Sequence, residues 1–171
     1  IPDGEDGARV IGLFHTVDIV GKSFQHNEDR VITDINIVST NYPKLRPIVE
    51  NLHIFFCPKP SADTANACAN NKHITYFARS TQIPYCMTDY ITGHELGHVV
   101  QYSLCDGDKL NQYRNLRDPD DIHDTVDWDG NIQEWFAEDF RYFFGIDQGD
   151  RFWGLTLPEP DNRIKNFILN L

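Results

Sequence analysis

Two histidines four residues apart, with a glutamate directly after the first, constrain this chain more than any other feature: His94, Glu95 and His98 in the stretch "YITGHELGHVVQYSLC". Side chains at i and i+4 face the same way only on a helix. Ile91, His94, Glu95, His98, Val99 and Tyr102 make a stripe with that spacing. On such a helix both imidazoles can reach one tetrahedral metal ion, with Glu95 beside the position left open. The chemistry uses all three groups: two neutral imidazoles to hold Zn²⁺, and a carboxylate to take the proton of an activated water as it attacks a carbonyl. The pattern is H-E-x-x-H. Seven histidines and seven glutamates in 171 residues produce it by composition alone in about one shuffled chain in a hundred. Gly97, inside the motif, costs about 1 kcal/mol against alanine in mid-helix and points to a close backbone approach there.

A zinc site built this way needs a third protein ligand. A histidine six residues beyond the second motif histidine, with glycine at the third, would mark a metzincin, but those positions are Leu104 and Gln101. Downstream stand His123, Asp124, Asp127, Glu134 and Glu138. Glu134 and Glu138 are the strongest pair, four apart in "QEWFAEDFRYFFG", a helix pattern whose Phe136, Ala137, Phe140, Phe143 and Phe144 promise deep burial. Burying two acids among aromatics calls for a cation nearby, whether metal, histidine or arginine. The bland alternative has one or both of them facing solvent or paired with Arg141.

Around these motifs the chain shows no repeat, no low-complexity tract and no linker, and its 171 residues fit one domain, 1–171. "ARVIGLFHTVDIV" reads as a strand, "EDRVITDINIVSTNY" as a helix ending before Pro43, and "PKLRPIVEN" as a further short helix. "NLHIFFC" and "HITYFAR" read as strands joined by a Pro/Ser/Asn-rich loop. A helix over 89–103 follows, then two acidic loop-like stretches, the glutamate-bearing helix closed by Gly145, and a last helix capped by Asp161. The class is α+β, with helices on both sides of a small mixed sheet. His53 and His73 adjoin the two strands, where cross-strand pairing accounts for them.

The formal charge of −11 argues against a nucleic-acid backbone or an anionic membrane surface as partner. No apolar run approaches the roughly 20 residues of a membrane-spanning helix. The chain begins "IPDGEDG" without an initiator Met and carries four cysteines, Cys57, Cys68, Cys86 and Cys105, none in a CxxC pair. That usage fits disulfides and a secreted, extracellular protein. Cys57–Cys68 would close the loop between the two strands, whereas Cys86–Cys105 is opposed by the helix between them.

"HELGH" followed after some 35 residues by "EWFAEDFRYFFG" resembles the gluzincin-type zincins of the anthrax lethal factor and Pro-Pro endopeptidase group. The likeness covers roughly residues 45 to 145 in layout, and its specific part is the two motifs. It implies a zincin-like zinc metalloendopeptidase with one Zn²⁺ per chain, a monomer acting on a peptide or protein in extended conformation. Glu134 becomes the third ligand with His94 and His98, Glu95 the general base, and Glu138 the acid that orients a ligand histidine through its free ring N–H. By the same likeness the edge strand beside the motif helix, Ile74, Thr75, Tyr76, Phe77 and Ala78, would bind the substrate backbone. The family's tyrosine seven residues before the glutamate ligand is Asp127 here. His123 and Tyr113 are then the candidate oxyanion donors. Two alternatives stand beside this: an aspzincin-like site with Asp127 as third ligand, and an inactive zincin-like domain that binds a protein partner.

Overall fold

The structure is a computed structural model that describes residues 9–11, 16–18, 25–58, 67–78, 85–117, 131–148 and 158–171. Helix α1, Gln25–Asn41, forms where Val31, Ile35 and Val38 recur at helical spacing, and all three are buried. Pro43 ends it. A 3-10 turn, Pro43–Leu45, leads into α2, Arg46–Val49, which Pro47 tolerates because it stands in the first turn.

Among the described residues one five-stranded sheet forms, in the order β1-β2-β3-β5-β4: β1 Arg9–Ile11, β2 Thr16–Asp18, β3 His53–Pro58, β4 Ala67–Ala69 and β5 His73–Ala78. The expected single N-terminal strand is thus an antiparallel pair, with Val10 opposite Val17. β3 runs parallel to β2 and to β5, and β4 returns antiparallel along β5, so the sheet is mixed. His53 and His73 are direct register partners, as the pairing account of them expects.

Two expectations are corrected by this order. The segment Ile74–Ala78 is an interior strand: its backbone pairs with β3 on one side and, over Ile74–Tyr76, with β4 on the other. The edge next to it belongs to β4, a strand of three residues without a β-branched side chain and so without a sequence signature. The same order opposes Cys57–Cys68. Cys57 lies opposite Phe77 and Cys68 opposite Thr75, on either side of β5. Two strand spacings put them at least roughly 9 Å apart, beyond the ~7 Å a disulfide spans. Among the described residues no disulfide forms. Cys86 and Cys105 stand at opposite ends of α3, Tyr85–Leu104, which starts four residues earlier than the sequence pattern indicates.

Among the described residues three further helices follow: α4 Gly107–Leu116, α5 Ile132–Phe144 and α6 Asn162–Leu169. Each has a side-chain cap, Asp106 accepting from the Lys109 N–H, Asn131 from Gln133, and Asp161 from Arg163 and Ile164. α4 falls where a loop was expected, because its polar sequence sends only Tyr113 fully inward. Ile54, Ile74 and Tyr76 of the sheet join Leu96, Val99 and Val100 of α3 and Trp135, Phe136, Phe140 and Phe144 of α5 in one buried cluster, which Val31, Ile35 and Ile164 extend. Among the described residues no helix is long and apolar enough to cross a membrane.

Candidate metal centre

α3 and α5 pack backbone against backbone. A Cβ at Gly97 would stand 2.6 Å from the Ala137 Cα and 2.7 Å from its carbonyl oxygen, so only glycine admits this approach. That contact lies between the two histidines in sequence on α3 and between the two glutamates on α5. It therefore brings the pairs together across the helix interface.

His94 Nε2 lies 3.0 Å and His98 Nε2 3.4 Å from the same oxygen, Glu134 Oε2. One ligand atom from each residue fits within 4.8 Å of the others, and the three can hold a metal ion. Ligands 2.0–2.1 Å from a tetrahedral ion stand roughly 3.3 Å apart, so the observed separations suit one ion bound by two imidazoles and a carboxylate. His94 and His98 are buried, and their rings meet edge-on with centroids 4.8 Å apart.

Glu138 takes the other side of His94. Its Oε2 lies 3.4 Å from His94 Nδ1 and accepts a hydrogen bond from the Tyr90 hydroxyl at 3.1 Å. Arg141, fully buried, donates to the same carboxylate through Nε and Nη2. Glu138 thus has the histidine and the arginine as partners together.

The ion-free charges are mutually adjusted. Burial favours neutral His94, but the hydrogen bonds its ring donates to Glu134 and Glu138 and the charges of Glu95 and Glu134 outweigh it and raise its pKa to about 9. Burial also opposes ionisation of Glu134, yet its hydrogen bonds to His94 and His98 hold it well below the usual carboxylate range. Glu138, against the same desolvation, is lowered to about 2 by His94 and Arg141. Glu95 goes the other way: burial raises it, only partly offset by the charges of His94 and His98. Its Oε2 is buried without a hydrogen-bond partner among the described residues.

Tyr113 does not belong to this site. Its hydroxyl donates to Asp139 at 2.5 Å and its ring packs edge-on against Phe136, fully buried, so it cannot serve as an oxyanion donor. His123 and Asp127 lie outside the described residues. Tyr102, 42% exposed, stacks on His98 and donates to Gln133 Oε1 at 2.9 Å. With Tyr90 stacked on His94, one face of α3 carries four rings in succession: Tyr90, His94, His98 and Tyr102. A strict spacing of four runs through them and was the signal for the roles of Tyr90 and Tyr102 that the histidines overshadowed. No protein-family model, no curated protein and no solved structure matches this chain.

Proposed function

We propose that this chain is a zinc-dependent endopeptidase with a zincin-like fold. The observation that carries the reading is the convergence of His94, His98 and Glu134 around one point, with Glu95 next to His94 in the same helix and its buried Oε2 without a hydrogen-bond partner among the described residues. A donor set of two imidazoles and one carboxylate suits Zn²⁺, and a catalytic zinc site has three protein ligands with the fourth position open. When bound, zinc supplies a Lewis acid that acidifies water and polarises a carbonyl. Glu95 takes the proton of the attacking water at its carboxylate and returns it to the leaving amine. Burial raises its pKa, which strengthens it as a proton acceptor. No covalent enzyme intermediate is required.

Among the described residues β4 is the last strand of the sheet and packs beside α3, and an extended peptide would bind along that side of the helix. The test is elemental analysis of the purified chain beside turnover of a peptide library. One zinc per chain, lost in Glu134→Ala and retained in Asp127→Ala, is the expected result. Glu95→Gln should keep the zinc and lose at least about a hundredfold in turnover. Full peptidase activity in zinc-loaded Glu95→Gln would sink the mechanism. Zinc without cleavage of any peptide would favour a binding domain.

A further inference from the structure

We infer that Tyr90 and Arg141 are positioning residues for the metal centre: together they fix Glu138 Oε2 against His94 Nδ1, so that His94 presents Nε2 to the ion. This deepens the metal-centre reading and rests on it. A glutamate on a helix can turn its carboxylate freely, and an imidazole can rotate to exchange its two nitrogens. Something must restrain both if Nε2 is to face Glu134 consistently.

The restraint is built from three directions. Arg141 Nη2 holds Glu138 Oε1 at 2.6 Å, and its Nε lies 3.2 and 3.1 Å from the two carboxylate oxygens. Tyr90 Oη donates to Oε2, the oxygen that faces His94. Arg141 is itself immobilised, with Nη1 2.8 Å from Asp147 Oδ2 and its guanidinium 4.6 Å from the centre of the Tyr90 ring. Gly93 makes room for it directly beside His94, since a Cβ there would stand 2.9 Å from Arg141 Cγ. Tyr90 therefore acts twice, as hydrogen-bond donor to the acid and as a face for the arginine.

His98 supplies an internal contrast. Its Nδ1 is buried and has no hydrogen-bond partner among the described residues. The two ligand histidines are unequal: His94 is anchored through an acid, a phenol and a guanidinium, and His98 is held by packing between His94 and Tyr102. The anchor needs all of Tyr90, Gly93, Glu138 and Arg141, which the motif H-E-x-x-H does not itself contain.

The test uses the full chain, metal-free and loaded with Zn²⁺, as wild type, Tyr90→Phe and Arg141→Lys. Long-range ¹H–¹⁵N NMR reads the exchange of the His94 Nδ1–H, and competition with a chromophoric chelator reads zinc affinity. A slowly exchanging proton in wild type, exchanging at least about tenfold faster in both variants, with zinc affinity down roughly 10- to 100-fold, is the expected result. A residue that served stability alone would move the melting temperature and leave both readouts in place. Exchange and affinity within twofold of wild type in both variants would overturn the inference. Should Arg141→Lys fail to fold, Tyr90→Phe, which keeps the ring, decides. If wild type takes up no zinc, the metal-centre reading fails on its own, and the exchange rates still decide for or against the anchor.

Discussion

Glu138 and Asp139 are neighbours on α5, both buried, and each is held by one arginine and one tyrosine, yet the two clusters do different things. Asp139 accepts from Tyr113 and from Nε and Nη2 of Arg117, whose Nη1 reaches the Pro158 carbonyl at 2.7 Å. Every polar group in that set finds its partner in the scaffold, and the result ties α4, α5 and the approach to α6 together. Glu138 is bound by Arg141 and Tyr90 in the same chemistry but keeps one oxygen directed at His94. A step of one residue, roughly 100° around a helix, turns the same carboxylate–guanidinium–phenol group from a clasp within the scaffold towards the His94 ring.

Breaking the clasp should have the largest effect. Asp139→Ala strands the buried Arg117 and the Tyr113 hydroxyl and is expected to cost about 3–5 kcal/mol in urea denaturation, while the folded fraction binds zinc as wild type does. Loss of zinc binding at full stability would reverse the two roles. Gly97→Ala comes next: the new methyl would drive α3 from α5 at Ala137 and should cost about 1–3 kcal/mol, with weakened zinc affinity because the ligand pairs separate. Glu138→Gln preserves shape but removes the charge facing His94 and Arg141, and zinc affinity should fall roughly 10- to 100-fold by chelator competition.

A third cluster sharpens the contrast by having too many acids. Between α1 and α3, Arg30 donates to both oxygens of Asp89 at 2.6 Å and lies 3.2 Å from Asp34, which is 0% exposed. Burial first, then the charge of Asp89, raises the Asp34 pKa to about 8, with Arg30 only partly offsetting them. The folded chain therefore retains a proton that the unfolded chain has released above about pH 4. Stability should fall as pH rises from about 4 to 8 and level off beyond. Asp34→Asn should flatten that fall and gain on the order of 1–2 kcal/mol at pH 8, read from urea midpoints across pH. Tyr102→Phe, at an exposed site whose phenol meets a neutral amide, should change stability by less than about 0.5 kcal/mol.

What the chain disclosed in advance follows from how local each signal is. The spacing of His94, His98, Glu134 and Glu138 is a helical property, and the burial of Phe136 and Phe140 follows from the pattern around them. Gly97 was legible for the same reason, as an expensive residue whose cost had to have a cause. Tyr113 was misassigned because nothing local distinguishes a phenol facing a cleft from one facing Asp139. Arg141 was recognised as a partner but not as part of a relay, since the phenol that completes the relay lies on another helix. β4 and α4 escaped notice for opposite reasons, the first being too short to show alternation and the second too polar to show a buried stripe.

The contact of Gly97 with Ala137 has one more consequence. Every assigned ligand and every member of the Glu138 anchor, Asp147 aside, sits on two rods that touch along their backbones. The spacing between the histidine pair and the glutamate pair follows the distance between the two helix axes. Such a pair is in effect a self-contained cassette. A shift of either rod would move two of the converging side chains at once, so that one backbone contact governs the positions of all four.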